Sequence, residues 1–329
     1  MKKLIEREIG SLTFAANQTA TLQLPRDFSL AKLHFRLIAQ MDRTAVGGSV
    51  NRDLSGAQLI RRIEIRRNGR DVLKSIDFET LMRLNEKDYS APAARTVSTT
   101  TWDSAPAGAE ANTTFDLGAI LDFAMQRSIR PNDTLLDCTA RGRVSTLDLI
   151  ITWGTGADCV STGVITVDSC TLFVATTEYI DIDSKEDPYT PYADNKIYGV
   201  RKIITATNPK ELIELGVGNF YRGFLIKTHV DGVQSNAVIN TITLRSGTDV
   251  IKYRVGAALR NDMKSELALT TVATGYYWLE LCKDGHLAKM LDTTNMSSLT
   301  LELDVTFSGT VCVTEVFPVE IVPAARRAA

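Results

Sequence analysis

The sequence predicts an all-β chain built as two β-sandwiches in tandem, with a few short helices in the loops. Three observations carry this expectation. The 329 residues suit two domains that each bury a core of their own. Thr- and Val-rich segments alternate with Gly, Asn and Asp punctuation, a pattern that favours pleated strands over helices. And the second half of the chain repeats the order of features of the first.

The first repeated element is a strand with a fixed exit. Phe35–Asp42 and Phe224–Asp231 each begin with Phe, run through six mostly strand-forming residues and end in Asp before a polar loop, 189 positions apart. The second is a hairpin. Ile63–Ile65 passes through a turn containing Gly69 into Asp71–Lys74. Ile242–Leu244 passes through a turn containing Gly247 into Asp249–Lys252. Glycine supplies the positive φ that such turns need, so Gly69, Asp71, Gly247 and Asp249 mark the repeat. After each hairpin the apolar period lengthens towards 3.6, at Phe78, Leu81 and Met82 and again at Val255, Ala258 and Leu259, which predicts a short helix in each copy.

Each copy then closes with two more strands, Leu147–Trp153 and Cys170–Glu178 in the first, Leu299–Phe307 and Thr310–Glu320 in the second. The Ser-, Thr- and Ala-rich segment Ser90–Thr114 reads as an excursion from the first sandwich. Asp116–Gln126, apolar at Leu117, Ile120, Leu121 and Ala124, reads as a helix at its end. The domain limits that follow are residues 1–180, an acidic linker over 181–198 that carries Pro188 and Pro191, and residues 199–329.

Composition bounds function. The chain is 44% hydrophobic and 23% charged, and its net charge of -2 gives no bulk attraction to nucleic acid, so no sequence-specific nucleic-acid binding is expected. Five widely spaced cysteines, Cys138, Cys159, Cys170, Cys282 and Cys312, form no CxxC pair and read as buried free thiols of a chain folded in a reducing cytoplasm. His34, His229 and His286 are too scattered for a metal triad, and no nucleophile, zinc-protease or phosphate-loop motif stands where its mechanics require. An enzyme is therefore not expected.

Four groups remain as binding candidates. Asp181, Asp183, Glu186 and Asp187 offer oxygen ligands for a structural calcium ion, although the Gly of an EF-hand loop is missing and a solvated linker is the ordinary reading. Arg61, Arg62, Arg66, Arg67 and Arg70 are split by strand alternation between faces, as expected for a solvated or subunit-contacting surface. Lys2, Lys3 and Arg7 near one end, with Arg326 and Arg327 near the other, lie outside the expected sandwich cores and are suited to an anionic membrane surface. Tyr276, Tyr277 and Trp278 fit core packing, or a stacking platform for sugar in the rival reading of a two-domain carbohydrate-binding sandwich protein, lectin-like or glycosidase-related.

The tract Ile60–Ile76, the helix Asp77–Tyr89 after it, and the second-copy segments Phe220–Lys227 and Ile239–Gly247 resemble the double-jelly-roll major capsid proteins of tailless icosahedral viruses with an internal membrane. The resemblance covers essentially the whole chain. Its modest length and compact loops are most similar to the lipid-containing bacteriophages of Gram-negative hosts. The resemblance implies two tandem eight-stranded jelly rolls and a structural coat protein of the virion. It also implies pseudo-hexameric homotrimers that contact neighbouring trimers, minor capsid and vertex proteins, and the internal lipid membrane.

Overall fold

The computed structural model describes residues 3–44, 50–51, 54–99, 102, 109–125, 134–136, 138, 144–180, 193–267, 272–282 and 289–323. The chain divides into two compact units. Unit one comprises residues 1–124 and 132–191, and unit two comprises 125–131 and 192–329.

Unit one contains β1 (Lys3–Thr13), β2 (Thr19–Gln23), β3 (Ser29–Thr44), β4 (Val50–Asn51), β5 (Ile60–Arg67), β6 (Asp71–Ile76), α1 (Phe78–Tyr89), β7 (Ala94–Val97), β8 (Glu110–Asp122), β9 (Leu147–Trp153), β10 (Val160–Thr162) and β11 (Val164–Ile180). One sheet runs β1-β11-β3-β8-β7, and its partner within the unit runs β6-β5-β9-β2. With the minor strands β4, β7 and β10 set aside, the eight long strands take the order 1-8-3-6 in one sheet and 2-7-4-5 in the other. That is a jelly roll.

Unit two repeats it. Its elements are β12 (Ala193–Ile197), β13 (Val200–Ile204), β14 (Asn208–Leu215), β15 (Phe220–Val230), β16 (Val233–Gln234), β17 (Ile239–Ser246), β18 (Asp249–Val255), α2 (Gly256–Leu267), β19 (Tyr276–Glu280), β20 (Leu291–Asp292), β21 (Leu299–Val305) and β22 (Cys312–Pro323). β12 and β13 together flank β22, β22 pairs with β15, and β15 pairs with β19 and β20; the second sheet is β14-β21-β17-β18. Counting β12 with β13 as strand one and β19 with β20 as strand six, both sheet orders of unit one return.

The cores follow from period-two alternation. In β3 the residues Leu33, Phe35, Leu37, Ala39 and Met41 are buried, and in β9 Leu147, Leu149, Ile151 and Trp153. The unit-two core is built from Phe224, Ile226, Ile242, Leu244, Leu299, Leu301, Leu303 and Val305 among others. α1 starts where expected because Asp77 caps it, its carboxylate accepting from the Thr80 amide at 2.8 Å. All five cysteines are buried and none is in a disulfide, and burial pushes the Cys170 thiol up to about 12.

Three expectations are corrected. Asp116–Gln126 is not a helix, because residues 116–122 are the end of β8, hydrogen-bonded to β3 from Glu110 onward. Thr113, Phe115, Leu117, Ala119 and Leu121 alternate into the core, and a window opened at Asp116 misses the first two of them. The segment Ser90–Thr114 is not wholly an excursion, since β7 pairs along β8 from Ala94 to Val97. The linker does not extend to residue 198: Ala193–Ile197 forms β12, paired with Pro323–Val319, a short polar strand held by its backbone ladder and without the apolar run that marks a strand in sequence. Unit two also takes Met125 from the first half of the chain, packing it against Cys282, Met290 and Ile321.

Candidate assembly surfaces

The register of the outer strands fixes two opposite ends for each sandwich. In unit one Lys3 pairs with Ile180, so the first strand begins beside the end of the last. In unit two Ala193 pairs with Pro323. Following the strands, the hairpin turns at Gly69 and Gly247 lie at these same ends. Residues 98, 99, 109 and 110 of unit one and the turns at 231–237 and 306–311 of unit two lie at the opposite ends.

The basic candidates are distributed accordingly. Lys2, Arg326 and Arg327 lie outside the described residues, and Lys3 is described only in its backbone pairing at the end of β1. Arg7 is engaged within its own unit: its guanidinium donates to Glu178 at 2.9 and 3.0 Å and to Asp27 at 3.3 Å, so a lipid headgroup would have to displace these carboxylates. Asp181, Asp183, Glu186 and Asp187 also lie outside the described residues. Among the described residues no group of three or more His, Cys, Asp or Glu side chains is placed to hold a metal ion.

The turn residues behave as the repeat requires. Asn68 and Gly69 have φ of 52° and 69°, and Gly247 has 57°. Asp71 pairs with Arg67 across the first hairpin, and Asp249 stands opposite Ser246 in the second. The arginine cluster is largely neutralised in place. Arg61 meets Asp158 at 2.7 Å, and Arg62 and Arg66 both meet the buried carboxylate of Glu64. A phosphate backbone would compete with these pairs, so the tract is no open cationic patch.

His34 lies on β3, its Nε2 2.8 Å from Thr177 Oγ1, and burial lowers its pKa. His229 lies on β15, and His286 is outside the described residues. Tyr276, Tyr277 and Trp278 are buried in β19. The Tyr277 hydroxyl donates to the Asn236 carbonyl at 3.1 Å and the Trp278 indole to Glu280 at 2.7 Å, so this trio offers no face for stacking a sugar.

Features that sequence reasoning missed lie on the sheet margins. Leu4 on β1 and Val250, Tyr253 and Val255 on β18 expose 45–53% of their surface. Nothing in their residue types separates them from core valines and leucines; the signal is tertiary. Also missed is a latch over unit one. Arg43, fully buried, pairs with Glu110 at 3.3 Å and lies 4.8 Å from the centre of the buried Trp102 ring, whose indole donates to Ser55 at 2.9 Å.

No protein-family model matches the chain, and no curated protein matches its sequence. Solved structures do. The crystal structure of the STIV MCP aligns with a TM-score of 0.76 at 12% identity, covering 99% of this chain and 98% of that one. The atomic structure of Sulfolobus turreted icosahedral virus gives 0.75 at 13%, covering 98% and 91%. The major capsid protein P2 from bacteriophage PM2 gives 0.62 at 12%, covering 99% of both chains. At such identities the likeness shows architecture, and that architecture is the double jelly roll, present here from end to end.

Proposed function

We propose that the chain is the major coat protein of an icosahedral virion, with a structural and not a catalytic role. The observation that carries this reading is the presence of two complete jelly rolls with the same strand order in one chain, matched over nearly its whole length by proteins named as major capsid proteins. Closed sandwiches with few long open edges make rigid blocks, and variable loops at their ends leave the core undisturbed.

In this reading three copies form a homotrimer of pseudo-hexagonal outline, and trimers tile a shell with minor capsid and vertex proteins at its special positions. At least one of the two ends, that with Lys3 or that with Pro323, faces an internal lipid membrane. Repeated over a shell, the basic residues near it, each contributing about 1 kcal/mol against an anionic leaflet, would hold lipid that one chain could not. A calcium ion on Asp181, Asp183, Glu186 and Asp187 would relieve carboxylate repulsion between subunits.

Light scattering coupled to size exclusion tests the building block: a stable three-chain species is expected, and a strict monomer that binds glycans refutes the reading. Electron microscopy of particles from cells making the chain with its genomic neighbours tests the shell. Deletion of residues 1–8 or 324–329 is expected to reduce lipid retained by assembled particles.

A further inference from the structure

The two units repeat the same strands but do not expose the same ones. Strand one is open in unit one, where β1 shows no buried residue from Leu4 to Thr13, and partly covered in unit two, where Asp194, Asn195 and Ile197 of β12 are buried while Arg201 and Ile203 of β13 are exposed. Strand five is reversed. In unit one β6 buries Leu73, Lys74 and Ile76, whereas in unit two no residue of β18 is buried. The helix after strand five follows suit: α1 buries eight residues, including Phe78, Leu81, Met82 and Leu84, while among residues 256–266 of α2 only Gly256, Leu259 and Met263 are buried. The contrast survives at matched positions, since the repeat aligns Lys74, fully buried, with Lys252, which is partly exposed.

Each chain therefore shows one wholly bare strand one, β1, and one wholly bare strand five, β18. β1 and β18 are both terminal strands of their sheets. Their charges are complementary. β1 exposes Glu6 and Glu8, two residues apart and so on one face, and β18 carries Lys252 and Arg254 at the same spacing. Lys252 also meets the Glu280 carbonyl, and Arg254 lies 3.5 Å from Asp262 in a solvent-exposed pair that is easily exchanged. On the same two strands lie the exposed Leu4 of β1 and the exposed Val250, Tyr253 and Val255 of β18.

We infer that the β18–α2 margin of unit two is the seat for a second copy of this chain, which presents the β1 margin of its unit one. The inference rests on the self-assembling reading above and adds which surfaces meet. The contact is head to tail, so the partner's own β18 remains open for a third copy, and such a contact closes into a ring when the rotation allows.

Charge exchange on the full chain tests it. Glu6→Lys with Glu8→Lys, or Lys252→Glu with Arg254→Glu, places like charges across the contact and is expected to weaken assembly at least about tenfold in dissociation constant, read by light scattering across a dilution series. The four substitutions together are expected to bring assembly back to within about threefold of the parent. Val250→Asp alone, at an exposed position that leaves the fold intact by circular dichroism, is expected to weaken assembly as well, and the β18 amides are expected to gain protection from hydrogen exchange on assembly. If the parent assembles and all these variants assemble equally well, the edge assignment is overturned while self-assembly stands. If the parent remains a single chain at every concentration, both fall.

Discussion

Replacing Asn85 by Ala isolates a small device that completes a sheet. β7 covers β8 only from Phe115 to Gly118. Beyond it, at Ile120, one backbone donor and one acceptor point away from β3 with no strand to receive them. The Asn85 side chain of α1 fills the gap, its amide donating to the Ile120 carbonyl at 2.8 Å while its oxygen accepts from the Ile120 amide at 2.6 Å. Truncation leaves both groups without a partner. An orphaned group costs about 1–3 kcal/mol when fully buried; Asn85 is half-buried, so water recovers part of the loss and about 1 kcal/mol per group, or about 2 kcal/mol in all, is expected. Asn85→Asp keeps the acceptor and loses the donor, for about half that cost. Urea unfolding followed by circular dichroism gives the global figure, and hydrogen exchange at Ile120 gives the local one. If the Ala variant loses less than about 0.5 kcal/mol and exchange at Ile120 is unchanged, the amide is not holding the strand and the reasoning fails.

Trp102→Ala empties a fully buried site that also packs edge-on against Phe115 at 5.0 Å, and a loss of about 3–5 kcal/mol is expected in the same unfolding assay. Gly69→Ala and Gly247→Ala meet no atom within 4 Å, so only the left-handed backbone is strained; each should cost about 1 kcal/mol without changing the denaturant slope. Burial raises the pKa of Glu320, against the opposing hydrogen bonds of Asn219, Tyr221 and Tyr198 and the charge of Lys196. The folded state thus holds the proton more tightly than the unfolded chain, so this stabilisation is complete below the ordinary value of 4.5 and is lost as pH climbs through the raised one. Glu320→Gln should flatten that loss, and thermal unfolding at pH 4 and pH 8 compares the two proteins; an identical pH dependence would exclude Glu320 as its source.

The hairpins were readable because the residues that build them act locally: Gly69 and Gly247 are needed for their own φ, and Asp77 caps the helix it precedes. β21 was readable because Leu299, Leu301, Leu303 and Val305 alternate without interruption. β8 was not, since Leu117, Ile120, Leu121 and Ala124 satisfy a helical stripe as well as a strand, and its partners β3 and β7 decide the matter from 80 residues before it and 20 before it. Charge alone marks the termini and the acidic linker in the sequence, and it omits what surrounds Arg7, a carboxylate already waiting on the neighbouring strand. The open margins of β1 and β18 were illegible for a plainer reason. Their valines, leucine and tyrosine have ordinary strand chemistry, and only the folded arrangement tells which copy of a repeated strand is left bare.

The side-by-side placement of Lys3 with Ile180 and of Ala193 with Pro323 also bears on how such a molecule can arise. A barrel whose way in and way out are neighbours can have its gene copied in tandem and read through as one product, with a strap no longer than residues 181–192 joining the copies and no strand obliged to cross the body of either. Each copy is then free to diverge in its far loops while the fused pair inherits one stoichiometry, since neither barrel can ever be made without the other.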